Sequence, residues 1–158
     1  ALLLASGVLA CTCTSAPASA EVVRQKVGTL GCDISAGMGL IIASRKEVRC
    51  VFVPAGGGRR GYREYYVGSI SKFGLDVGAT AGGQMVWAVH AQTTLRRGAL
   101  AGTYSGASGE ASLGPGLGAN VLLGGSDRTI ALQPVSIQAQ AGLNLAVGVA
   151  GLTLVPVR

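Results

Sequence analysis

From residue 143 onward the chain alternates: Leu143, Leu145, Val147 and Val149 hold one phase, and Asn144, Ala146, Gly148 and Ala150 the other. Successive side chains of a strand point to opposite faces, so this segment predicts a strand with one branched apolar face and one nearly bare face. At Gly151 the phase slips, and Leu152 and Leu154 carry the pattern on, as the extra residue of a β-bulge requires. A comparable slip separates Ile130 and Leu132 from Val135 and Ile137 across Pro134. The bare face implies a sheet packed closely on that side or lining a narrow interior. A closed barrel with room for an acyl chain and a tightly packed core both fit this pattern.

Glycine points the same way. It makes up 26 of 158 residues, without a collagen period and interspersed with Val, Leu, Ile and Ala. Glycine costs backbone entropy inside any regular element, so this density belongs to turns, bulges and close backbone approaches. Further strand-like segments run over 28–34, 38–43, 47–53, 62–71, 73–79 and 84–90, with 44–47 read as a charged turn and 54–61 as an exposed loop. Residues 93–104 are less regular and leave room for a helical turn. The expected fold class is all-β: a glycine-rich antiparallel sheet, barrel-like or sandwich, with at most short helical turns.

The start of the chain reads as a leader. An apolar run over 1–10 passes into a small polar stretch ending in Ala18-Ser19-Ala20, the h-region and cleavage site of a signal peptide without its charged n-region. The expected organisation is a signal peptide over 1–20 and a single β domain over 21–158, roughly 138 residues, in the periplasm. Val8-Leu9-Ala10-Cys11 also resembles a lipobox, and the alternative is a lipoprotein anchored at Cys11. Of four cysteines, Cys11 and Cys13 fall in the leader, and Cys32 and Cys50 remain. A pair in an oxidising compartment predicts a disulfide between two neighbouring strands. Two buried thiols or half of a metal site are the alternatives, but neither cysteine has a second Cys or His near it in sequence. No later stretch offers about twenty apolar residues free of charge and glycine, so no transmembrane helix is expected. Seven aromatic residues are too few for the two girdles of an outer-membrane barrel.

The formal net charge is +6, and it is placed unevenly. Residues 21–98 carry eleven of the thirteen Lys and Arg, whereas 99–158 are neutral. The basic residues cluster as Arg45-Lys46, Arg59-Arg60 with Arg63, and Arg96-Arg97, with Tyr62, Tyr65 and Tyr66 beside the second group. Arginine and tyrosine together can hold phosphate headgroups or sugars by forked hydrogen bonds and stacking. The same residues also suit a solvated loop and a charge-protected strand edge. Arg59, Arg60, Arg63, Arg96 and Arg97 are therefore the candidate contacts for an anionic ligand or surface. On an exported protein such a surface points to lipid headgroups, glycans or acidic partners before nucleic acid.

Catalytic patterns are missing from the sequence. His90 stands alone, in a strand segment beside Trp87. Gly102-Thr-Tyr-Ser-Gly106 has the wrong spacing for a nucleophile elbow, and Asp33, Glu47, Glu64, Asp76, Glu110 and Asp127 are too scattered to nominate an acid pair. Gly114-Pro-Gly-Leu-Gly-Ala119 mimics a dinucleotide fingerprint, but the residues after it read as strand and turn rather than helix. No catalytic residue, metal ligand or cofactor is nominated.

Two likenesses complete the reading. Val27-Gly-Thr-Leu-Gly-Cys32 through Arg49-Cys50, Gly68 to Gly78, Ala99 to Ser108, and Asn120 to Ser126 with Leu132-Gln-Pro-Val135 resemble the exported bacterial family called domain of unknown function 992. That resemblance covers essentially all of 21–158 and implies export and one intact domain, with no assigned activity. Phe73 to Ala79, Ala111 to Gly116 and Gln140 to Ala146 are similar to the glycine-rich core of SYLF domains, which implies lipid binding. The chain lacks that family's helical N-terminal part, so no lipid-contacting residue carries over. The expected function is a non-catalytic periplasmic envelope protein that binds a lipid, another amphiphile or an anionic surface. The alternative is a protein-interaction module of an envelope assembly, with the glycine-rich second half as its packing surface.

Overall fold

The computed structural model describes residues 23–35, 45–56, 61–72, 83–106, 121–125, 128–139 and 149–158. The expected leader, the strand segments 38–43 and 73–79, Arg59 and Arg60, the glycine motif 114–119 and most of the 143–150 alternation lie outside the described residues. Eight strands are described: β1 (Gln25–Ile34), β2 (Arg45–Pro54), β3 (Glu64–Lys72), β4 (Gly83–Ala91), β5 (Gly102–Gly106), β6 (Leu122–Gly124), β7 (Ile130–Ala139) and β8 (Val149–Pro156). They close into an antiparallel barrel in the order β1-β2-β3-β8-β5-β6-β7-β4, with β4 pairing back onto β1. The fold is all-β, and the barrel rather than the sandwich is correct.

One phase of each strand fills the interior. Leu30, Cys32 and Ile34 of β1 meet Val48, Cys50 and Phe52 of β2, with Tyr66 and Ile70 of β3 beside them. Met85, Trp87 and Val89 of β4, Tyr104 of β5, Leu122 of β6, Ile130 and Leu132 of β7, and Leu152 and Leu154 of β8 complete the core. Three aromatic rings at its centre, Trp87, Tyr66 and Tyr104, are almost wholly buried. Dispersion contacts from side chains of this size fill the space a hollow barrel would leave for a ligand. On the opposite face of β6 and β7, Val121, Leu123 and Ala131 form a second, smaller buried cluster.

Two of the three bulges among the described strands stand where the phase slips; the third leaves Val27 extra in β1, between Lys26 and Gly28. Ser71 pairs with Gly151 but Lys72 with Val149, so Ala150 is the extra residue in β8. Val86 pairs with Ser136 and Trp87 with Pro134, leaving Val135 extra in β7. Two glycines allow backbones to approach closely: a methyl at Gly68 would overlap the Thr153 carbonyl, and one at Gly124 would overlap the backbone of Thr103 and Tyr104. The charged turn over 44–47 is corrected, because Arg45, Lys46 and Glu47 belong to β2. Lys46 shares the inward phase of Val48, Cys50 and Phe52 and is buried with them. A run of three charges resembles a turn, but strand phase decides where each side chain points.

Cys32 and Cys50 are direct partners across β1 and β2, and they are bonded, with an S–S distance of 2.02 Å. The bond lies inside the barrel, closing a loop of 18 residues. In the chain-entropy model a crosslink over this span stabilises the fold by about 3 kcal/mol. Replacing both cysteines with serine is expected to lower the unfolding free energy by at least about 3 kcal/mol. Urea denaturation of the variant and parent checks this, and equal midpoints would contradict it.

Candidate functional site

The strands define two ends of the barrel. At one end lie the start of β3, the close of β8 and the segment from Gln92 to Ala101 that joins β4 to β5. That segment folds inward: Leu100 is fully buried, and Leu95 and Ala101 pack against the core. Two backbone bonds shape it, from the Ala99 N–H to the Arg96 carbonyl at 3.0 Å and from the Ala101 N–H to the Gly98 carbonyl at 3.1 Å. Gly98 sits at φ 78°, a conformation that favours glycine. The helical turn considered for 93–104 is a non-helical turn followed by β5.

Glu64 fastens this plug to the barrel wall. Tyr62 donates its hydroxyl to Glu64 Oε1 at 2.6 Å, and Tyr66 donates to Oε2. The backbone N–H of Gly98 reaches the same Oε2 at 3.4 Å. Tyr104, opposite, donates to the Leu100 carbonyl at 2.8 Å. Arg97 lies over the Tyr62 ring, 5.3 Å from its centroid, and donates from Nε to the Tyr62 hydroxyl at 3.1 Å. That hydrogen bond holds the guanidinium above its ordinary value, with the Glu64 charge a lesser cause. Residues 62, 64 and 66 share one phase of β3 and its lead-in, so the network follows directly from strand alternation.

Outside this latch is an open cleft of about 510 Å³ lined by Arg63, Glu64, Tyr65, Arg97, Pro156, Val157 and Arg158, among others. It brings together two of the candidate arginines, Arg63 and Arg97. Arg96 is exposed in the preceding turn but does not line the cleft, and Arg59 and Arg60 lie outside the described residues. Arg158, which no sequence signal marked, joins them. Of the three neighbouring tyrosines only Tyr65 is exposed, Tyr66 being a core residue whose hydroxyl is committed to Glu64. A second open cleft, of about 610 Å³, has Asp33, Glu47, Arg49, Val67 and Val155 in its lining, so its charges are mixed.

Among the described residues no acid acts on the His90 imidazole. It lies opposite Lys26 of β1 and Ala131 of β7, and burial followed by the Lys26 charge lowers its affinity for a proton. Among the described residues no three metal-type side chains come together, and no helix is long and apolar enough to cross a membrane.

The geometry therefore defines a filled antiparallel barrel with an arginine-lined end. The chain belongs to the family described as "Protein of unknown function (DUF992)", whose model matches residues 7–155. No curated protein and no solved structure matches it.

Burial raises the proton affinity of the Tyr66 phenol above its ordinary value, and the Glu64 carboxylate raises it further. Burial does the same to Tyr104, with Tyr66 the second cause. Unfolded tyrosine ionises near pH 10 while the folded pair keeps its protons, so stability holds below that pH and falls as pH rises beyond it. The expected slope is about 1.4 kcal/mol per pH unit for each tyrosine. Urea midpoints at high pH check it, and a midpoint independent of alkaline pH would contradict the burial of these phenols.

Proposed function

We propose that this chain is a non-catalytic exported protein of the bacterial envelope that binds an anionic headgroup at its arginine-lined end. The observation that carries this reading is the convergence of Arg63, Arg97 and Arg158 around one open cleft, with Tyr65, Pro156 and Val157 as its apolar part. Each guanidinium offers a planar fork of donors suited to phosphate or carboxylate oxygens. Glu64, the acid in that cleft, is engaged by Tyr62, Tyr66 and Gly98, whose hydrogen bonds point it toward the plug. An interior already filled by Trp87, Tyr66 and Tyr104 favours binding at the surface over carriage inside the barrel.

Reversing charge at Arg63 and Arg97 tests this. Co-sedimentation with phosphatidylglycerol-containing vesicles at low salt is expected to weaken about tenfold or more for each reversal, with little binding to phosphatidylcholine alone. Unchanged binding of Arg63→Glu/Arg97→Glu at low salt would remove the electrostatic basis of the proposal.

Export is supported by the leader-like pattern over 1–20 and by the buried Cys32–Cys50 bond, since such crosslinks persist in oxidising compartments. N-terminal sequencing of the protein from its native cells is expected to begin at Glu21. An acylated Cys11 at the N-terminus would replace the free periplasmic form by the anchored one, and an intact 1–20 segment would refute export.

A further inference from the structure

Seven large apolar side chains among the described residues are exposed, and five of them, Val53, Tyr65, Val67, Val155 and Val157, share one outer face of the barrel. Scattered exposed valines are ordinary; a contiguous set calls for a partner. Contiguity follows from register. Tyr65 pairs with Val51 across β2 and β3, and Val67 pairs with Val155 across β3 and β8. The Val157 N–H donates to the Tyr65 carbonyl at 2.9 Å, continuing the β3–β8 ladder. The strip thus joins the edge of the arginine-lined cleft to the second cleft, which Val67 and Val155 line.

Charge frames this strip. Arg49 pairs with Val67 along one side, and Arg63 and Arg158 stand with Tyr65 and Val157 at the barrel end. Toward the other end the apolar character stops, where Glu47 pairs with Ser69 and Asp33 with Arg49. From Tyr65 to Val67 is one pleat repeat, about 7 Å along the strand.

We infer that the outer face of β2, β3 and β8 is the surface by which the protein lies on an anionic phospholipid bilayer. Tyr65 and the valines enter the headgroup boundary while the arginines pair with lipid phosphates. This rests on the anionic-headgroup reading above and fixes the source of that headgroup as an intact membrane. On this face β2 and β3 are paired on both sides over most of their length, which leaves a peptide no edge there to add to, the commonest sheet-based mode of protein capture. An apolar strip with Arg49, Arg63 and Arg158 beside it, and the acids Asp33 and Glu47 in the cleft at its Val67–Val155 end, complements an anionic interface, where tyrosine and snorkelling arginine are both at home. The acids at the far end confine contact to the membrane surface.

The test places a tryptophan on the strip and another away from it. Val155→Trp is expected to shift its emission to the blue and to be quenched by lipids brominated near the headgroup in phosphatidylglycerol/phosphatidylcholine vesicles. Val135→Trp, at an exposed position on β7, is expected to show neither change, and the native Trp87, buried in the core, gives a constant background. Val67→Asn/Val155→Asn, both at half-exposed outward positions, should keep the parental melting behaviour and lose about tenfold in vesicle partitioning at physiological salt. Equal responses of the two tryptophan variants, or parental partitioning of the asparagine variant, would overturn the inference. If charge reversal weakens vesicle binding while Val155→Trp stays unquenched, headgroup binding stands and the membrane face does not. If the parent binds no vesicles, both fall. A dimer in solution that dissociates in Val67→Asn/Val155→Asn would assign the strip to a second copy of the chain and refute the membrane face.

Discussion

Closure of the sheet is the constraint on which the rest depends. Because β4 pairs with both β1 and β7, the sheet closes on itself, and β1, β3 and β4 are paired on both sides over most of their length, while β6 covers β7 only at Ile130–Leu132. Outward side chains and the barrel ends are then the main surfaces open to recognition. Closure also fixes the sheet's inner face, and the sequence packs that face with four aromatic rings, the disulfide and branched aliphatics. Bulges at Ala150 and Val135 and close contacts at Gly68 and Gly124 belong to the same requirement. They bend the strands and bring backbones near enough for eight short strands to meet around a small circumference.

Much of this was legible because strands announce themselves by parity. The disulfide followed from two strand-like segments and the expectation of an oxidising compartment, and two of the three bulges followed from phase slips at Pro134 and Gly151, whereas the one at Val27 of β1 carried no such signal. Charged residues were harder. Arg45, Lys46 and Glu47 carry the composition of a turn, yet β2 includes them, and only the position of Lys46 in phase with Val48 signals its burial. The plug was not legible at all, since residues 92–101 have no period and Leu100 is buried by tertiary contact alone.

The candidate site was half legible for the same reason. Arginine doublets can be counted in a sequence, but their convergence depends on where a turn and a distant strand end meet. Arg63 precedes β3, Arg97 sits in the plug that leads into β5 and Arg158 follows β8, so the pairing of β8 with both β3 and β5 brings all three to one cleft. The Tyr62-x-Glu64-x-Tyr66 spacing was visible, and parity would have assigned those three side chains to one face. That assignment separates Tyr65, which is free to meet a ligand, from Tyr66, whose hydroxyl is bound to Glu64.

The latch explains how an exposed arginine can be ordered enough to recognise anything. A lone surface arginine loses rotamer entropy on binding, which offsets much of what its hydrogen bonds contribute. Arg97 has part of that entropy removed in advance by stacking on Tyr62 and donating to its hydroxyl. Tyr62 is in turn fixed by Glu64, which holds the Gly98 N–H one residue from Arg97. The carboxylate thus serves the basic end in two ways: it ties the plug to β3, and it positions the aromatic ring on which the guanidinium rests. Its negative charge weakens the site's attraction for anions at long range, but contact geometry gains what the field loses. In the proposed function, contact with the anion is made through an arginine already aimed before the ligand arrives.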